Sequence, residues 1–166
     1  MTISPMLIFT RTSAFRLAAI GATLAVLAAC SSFSGPETTP LPAGLSARMD
    51  SQGAQLDRVQ ALALINAYRT SNGRQGLAED MALDAQAQAL ANEYALSGTA
   101  PRTPDGVIAI KLSAGYSTFA DTFSGWRNSS QDAAILVNPT ARRAGIAVAY
   151  NEGSAFGTHW VLVLDD

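Results

Sequence analysis

Apolar residues in the first half of the chain recur with a helical period. The segment from Leu56 to Ser71 places apolar side chains at i, i+3, i+4 and i+7, and Asn72-Gly73 follows as a stop: Ala61, Leu64, Ile65 and Tyr68. A second segment runs from Met81 to about Leu96 behind Asp80, a favourable N-cap, with its own stripe: Leu83, Ala87, Leu90, Ala91 and Tyr94. Both patterns predict amphipathic helices.

The middle of the chain predicts short elements separated by turns. Two prolines and Asp105-Gly106 predict a loop from Gly98 to Gly106, and residues 107–112 are typical of a short strand. Ser117 is a candidate N-cap for a third helix with one aromatic stripe: Phe119, Phe123 and Trp126. A fourth, short helix is predicted over residues 131–137, after the break at 128–130 and before Asn138-Pro139.

The hydrophobic period changes in the last third of the chain. Two β-favouring runs, 145–150 and 158–164, flank a turn that contains Gly153, and this pattern predicts an antiparallel hairpin. Alternation places His159 and Val161 on one face of the last strand and Trp160 on the other. Helices followed by a terminal hairpin predict an α+β domain built in layers.

The N-terminal segment has the form of a lipoprotein signal. Arg11 and Arg16 precede an apolar stretch of about eleven residues, too short for a membrane span of about 20, which ends in Leu27-Ala28-Ala29-Cys30. We expect residues 1–29 to be a signal peptide and Cys30 to carry the lipid that attaches the chain to a membrane. Ser31 follows the cysteine, and resemblance to proteobacterial lipoproteins then implies an outer-membrane location facing the periplasm.

The composition of residues 30–166 predicts a tether followed by one domain. Residues 30–50 are rich in proline and small polar residues, which predicts a flexible tether, and residues 51–166 suffice for one domain. Removing Arg11 and Arg16 from the 11 basic residues leaves 9 against 13 acidic ones, a formal charge of −4, with no basic cluster. This balance gives no reason to expect nucleic-acid binding. The single cysteine excludes a disulfide within the chain.

An ordered set of short motifs resembles one protein family over residues 62–164. The set begins with Ile65-Asn66-Ala67-Tyr68-Arg69 and continues with Ala114-Gly115-Tyr116, Phe123-Ser124-Gly125-Trp126-Arg127-Asn128-Ser129, Asn138-Pro139, the run 145–150 and Trp160. It is similar to the CAP superfamily of cysteine-rich secretory, antigen 5 and pathogenesis-related proteins, in particular to small bacterial members. The resemblance implies an α-β-α sandwich.

The polar residues that the family places in its cleft are largely replaced. Typical members have two histidines and two acidic residues there, and some bind a divalent metal, whereas this chain has one histidine in total. By the resemblance, one family histidine falls at Asp132, the other falls near Pro101 or Arg102, and the Glu-Asn-Ile motif aligns with residues 110–112. We therefore expect no metal and no other cofactor.

Three residues remain as candidates for the cleft: Asp132, His159 and Arg102. His159 lies where the family has no ligand, so a structural or surface position is expected, and Asp132 fits a first-turn acid favoured by the helix dipole. No residue is predicted to be catalytic.

The leading functional hypothesis is a non-enzymatic, lipid-anchored binding or interaction module of the cell envelope, with an unidentified envelope ligand or protein as its partner. One alternative is an envelope-acting hydrolase that uses Asp132, His159 or Glu93 in new roles. The other is a carrier of an apolar ligand, which the loss of charged cleft residues would suit.

Overall fold

A computed structural model of the chain describes residues 40–166, which form one compact unit from Pro40 to Asp166. Cys30, the predicted signal peptide and most of the predicted tether lie outside the described residues.

The described part of the chain contains helices on both sides of a mixed sheet. The helices are α1 (Ala43–Ser46), α2 (Arg58–Ser71), α3 (Met81–Ser97), α4 (Phe119–Asn128) and α5 (Ser130–Leu136). The strands are β1 (Ala78–Glu79), β2 (Ala109–Ala114), β3 (Arg143–Tyr150) and β4 (Thr158–Asp165). Their order in the sheet is β1-β3-β4-β2, with β1 parallel to β3 and the other pairs antiparallel.

The two faces of the sheet bury separate apolar clusters. Helices α1, α2, α4 and α5 pack on the face that carries Ile146, Trp160 and Leu162, whereas α3 packs on the face that carries Ala147 and Val161. Strand alternation along β3 and β4 sorts the side chains between these clusters. The architecture is the α-β-α sandwich that the motifs predict, and the terminal hairpin is confirmed as β3 and β4.

All four predicted helices are confirmed, with changes at their ends. Asp80 caps α3 as expected, because its Oδ1 accepts hydrogen bonds from the Ala82 and Leu83 amides at 2.8 and 3.1 Å. The cap of α4 is Thr118 and not Ser117, since the Thr118 hydroxyl accepts from the Asp121 amide. Strand β2 spans 109–114, two residues beyond the predicted 107–112, because its pairing with β4 sets the register.

The predicted tether extends too far toward the domain. Residues 43–46 form α1, and Leu45 and Met49 are each only 3% exposed within the core formed with α2 and α4. These apolar contacts stabilise the segment despite its prolines, so the compact unit begins at Pro40 and not at residue 51.

One glycine, Gly145, and one buried arginine, Arg69, are important for the packing of the helices. A Cβ on Gly145 would collide with the backbone of Leu83 and Asp84, so α3 rests directly on β3. Arg69 is fully buried and donates to the carbonyls of Gln75, Leu136, Asn138 and Ala141 at 2.7–3.2 Å. The role of Arg69 is therefore structural, because its side chain ties α2 to the segment after α5.

Candidate functional site

An ion pair engages Asp132, the residue that the motif pattern aligns with one of the family's histidines. Lys111 Nζ of β2 lies 2.8 Å from Asp132 Oδ1 in the first turn of α5, and the two side chains are 14% and 25% exposed. Ser129 caps the same turn by accepting from the Asp132 amide at 3.4 Å. Ile110, the position aligned with the family's glutamate, faces the opposite side of the sheet and packs against the cluster under α3, so of the pair only Asp132 stands at an aligned cleft position.

The candidate residues do not form one site. Lys111 lies opposite Leu162 in the β2–β4 register, which places the Lys111–Asp132 pair on the face covered by α2, α4 and α5. His159 is on the other face, where its ring lies 4.6 Å from that of Tyr94 on α3. Arg102 is exposed in the loop before β2. Asp132 and His159 therefore cannot act as a general acid–base pair, which needs hydrogen-bond reach to a common reacting group.

His159 is enclosed by aromatic and small side chains. It is 0% exposed, and its Nε2 has one polar contact, with Ser154 Oγ at 3.2 Å, while Nδ1 is buried without a partner among residues 40–166. Burial lowers the pKa of His159, and the Gly157 backbone opposes this to a smaller extent. The ring is thus neutral at pH 7 and lacks the carboxylate that orients a catalytic imidazole. Of the structural and surface positions that the sequence left open for His159, the structure shows a buried one.

The residues at the family's cleft do not fit a divalent metal. Within the described range, no three His, Cys, Asp or Glu side chains converge closely enough to hold an ion. Asp132 is already neutralised by Lys111, and a second cation beside the Lys111 ammonium would be repelled. The ion pair thus replaces the donor set that a hard or borderline cation requires.

Sequence reasoning missed a polar groove along the free edge of β3. A cavity of about 350 Å³ lies between α3 and the loop that precedes α2, lined in part by Gln52, Gln88, Asn92, Val148 and Tyr150. A neighbouring cavity of about 380 Å³ continues it past Gln88 and Val148 to Arg58. The sequence signal is a series of polar residues at four-residue spacing, 80, 84, 88 and 92, which begins at the N-cap of α3 and, without the structure, is interpreted as a solvent-facing stripe.

Among residues 40–166, none of the helices has the length and apolar character required to span a membrane.

The comparisons with known proteins agree with this architecture. The family model described as "CAP: Cysteine-rich secretory protein family" matches residues 62–164. No curated protein shows a significant match to the chain.

Solved structures with the same fold come from distant relatives. The crystal structure of MpPR-1i soaked with selenourea is 22% identical, has a TM-score of 0.55, and the match covers 65% of this chain and 89% of that one. An extracellular protein containing a SCP domain from Bacillus anthracis is 16% identical, with a TM-score of 0.52 and coverage of 65% and 40%. At these identities the likeness establishes the fold alone.

Proposed function

Because the chain belongs to the CAP family of cysteine-rich secretory proteins, we propose that it is a lipid-anchored binding module of the cell envelope, without metal chemistry. The observation that supports a role without metal chemistry is the Lys111–Asp132 ion pair, because Asp132 stands at the position that the resemblance aligns with a family histidine and its carboxylate is engaged by Lys111. A retained scaffold whose aligned histidine and glutamate positions hold Asp132 and Ile110 favours binding over metal-dependent catalysis.

The anchoring part of the proposal rests on the sequence around Cys30. A positive flank, a short apolar run and Leu-Ala-Ala-Cys in that order are typical of a cleaved and lipidated export signal. Acyl chains on the new N-terminus would hold the domain at the membrane, since each buried CH₂ contributes about 0.8 kcal/mol. Ser31 supports sorting to the outer membrane, with the domain facing the periplasm.

Neither alternative has a specific observation in its favour. A hydrolase that pairs Asp132 with His159 is disfavoured by their positions on opposite faces of the sheet, and Glu93 is exposed on α3. A carrier of an apolar ligand needs an apolar cavity, whereas the grooves beside β3 mix apolar residues with the polar side chains of Gln52, Gln88 and Asn92.

Membrane fractionation in a host with an outer membrane tests the anchoring. The wild-type chain should incorporate labelled palmitate and sediment with the outer membrane, whereas Cys30→Ser should lose the label. A matched Ser31→Asp variant keeps the lipidation site and should move the labelled chain to the inner membrane. A wild-type chain found in the soluble periplasmic fraction without label would overturn the proposal.

A further inference from the structure

Strand β3 has a neighbouring strand on its outer edge only at its beginning. β1 pairs with Arg143 and Ala144, and within residues 40–166 no strand covers this edge beyond them. From one residue to the next, the backbone N–H and C=O groups of a strand point alternately to its two edges. The hydrogen bond from the Ile146 amide to Asp84 shows that the groups of Ile146 point to the outer edge, away from β4. The same alternation turns the backbone groups of Val148 and Tyr150 to the open edge.

Side chains replace the missing strand along part of this edge. Asp84 Oδ1 accepts from the Ile146 amide at 2.9 Å, and Arg58 Nε donates to the Ile146 carbonyl at 2.9 Å. Gln88 Nε2 donates to the Val148 carbonyl at 3.1 Å. Four residues of helix rise about 6 Å and two residues of strand rise about 6.7 Å. Every fourth residue of α3 can therefore face every second residue of β3.

This series of side-chain contacts stops before the strand ends. Asn92 is the next residue of the stripe, but its Oδ1 accepts from Gln88 at 3.1 Å instead of reaching β3. Within the described residues, no hydrogen bond engages the outward amide of Val148 or the outward amide and carbonyl of Tyr150. The Val148 amide and the Tyr150 amide and carbonyl are therefore available to hydrogen-bond an added strand, at the point where the groove lies.

The groove has the shape and polarity to receive a strand. Its two walls are α3, with Gln88 and Asn92, and the loop 51–54, with the edge of β3 between them. At its far end, a cavity of about 330 Å³ brings Leu96, which is 81% exposed, beside Tyr150. The walls carry amide and hydroxyl groups, and the one cation, Arg58, is already engaged by Ile146 and Asp84.

We propose that the open edge of β3 at Val148–Tyr150 binds an extended, uncharged peptide segment of an envelope protein, which adds to the sheet as a further strand. The proposal rests on the binding role proposed above and names its partner class. Backbone hydrogen bonds supply the affinity in this mode, and pockets for alternate side chains supply the selectivity. One apolar side chain of the peptide packs on Leu96, while the next contacts the loop 51–54.

Phage-displayed linear eight-residue peptides, selected on the full chain, test this edge. We expect enrichment of uncharged sequences without central proline, and slower amide hydrogen exchange at 148–150 when a selected synthetic peptide is added. Val148→Pro removes the outward amide without breaking the β3–β4 ladder, and should lower affinity about tenfold or more. In an added strand, the amides of every second residue face β3 and the others face away. N-methylation of the set that faces β3 should abolish binding, whereas N-methylation of the other set should be tolerated.

Two tryptophan substitutions at exposed positions of α3 show whether the effect on binding comes from the groove or from any bulky residue on the helix. Asn92→Trp fills the groove and should also weaken binding about tenfold, whereas Ala82→Trp lies outside the groove and should leave it unchanged. Thermal unfolding of each variant reports whether the fold is retained, and Asn92→Trp keeps the test decisive if Val148→Pro fails to fold.

Three outcomes would overturn the proposal. The first is that no peptide is enriched, and the second is that Val148→Pro and Asn92→Trp both leave peptide affinity unchanged. The third is that tetra-N-acetylchitotetraose, and not peptide, slows amide exchange at 148–150, which would assign the groove to glycans. None of these results depends on Cys30, so loss of lipid anchoring and loss of peptide binding can be told apart.

Discussion

Protonation of His159 should destabilise the domain as pH falls below neutrality. The side chain is fully buried beside Tyr94, and it has a hydroxyl of Ser154 as its polar partner on Nε2. The charged ring carries a proton on both nitrogens, and Nδ1 is buried without a hydrogen-bond partner among residues 40–166, so only the weaker influence of the Gly157 backbone favours the charge. The folded state therefore disfavours the charged imidazole, and burial lowers the pKa of His159 from its ordinary value of 6.5.

The direction of the pKa shift sets the pH window. Between the folded-state pKa and 6.5 the unfolded chain binds more protons than the folded chain, so the free energy of unfolding decreases as pH falls. One group changes this free energy by at most about 1.4 kcal/mol per pH unit. The loss begins near pH 6.5 and levels off below the folded-state pKa. Because the chain contains one histidine, no other imidazole contributes in this range.

Urea unfolding at pH steps from 7.5 to 5.0, followed by tryptophan fluorescence, measures this dependence. The wild-type chain should lose stability across the window, whereas His159→Gln should be less stable at pH 7.5 but nearly independent of pH. A wild-type free energy of unfolding that stays constant, or that rises on acidification, would refute the assigned burial and ring environment.

Three further substitutions test the packing and the ion pair. Arg69→Lys should cost about 2–4 kcal/mol in urea unfolding, because an ammonium cannot reach the separated carbonyls that the guanidinium joins, and a near-neutral result would contradict that role. Gly145→Ala should cost about 3 kcal/mol or more, since its Cβ meets the backbone of α3; an unchanged melting temperature would rule out the close approach. A double-mutant cycle of Lys111→Met and Asp132→Asn should give a coupling of about 1–3 kcal/mol, whereas additive effects would mean that the pair is not formed.

Elements with a strong period were predictable from the sequence. The stripes of α2 and α3 and the aromatic stripe of α4 follow the helical period closely, and Trp126 is 2% exposed as that pattern requires. The alternation of β4 placed His159 and Trp160 on opposite faces, as the structure does.

The missed features depend on tertiary contacts. Helix α1 has four residues and one buried apolar side chain, so its local pattern is too short to overcome the prolines beside it. The burial of Arg69 depends on carbonyls contributed by residues 75 and 136–141, which the sequence alone does not bring together. The groove at β3 likewise exists because Asp84 and Gln88 meet a strand some 60 residues away.

The most direct test of the central claim is a zinc titration of the Cys30→Ser chain, in which no thiol is left to bind the metal. A ligand at a hundred times its Kd raises the free energy of unfolding by about 2.7 kcal/mol, enough to shift the melting temperature by several degrees. A domain in which Lys111 engages Asp132 should melt at the same temperature with and without micromolar zinc. A clear, saturable rise in melting temperature that Asp132→Asn abolishes would show that the family's metal site persists, and would contradict the account.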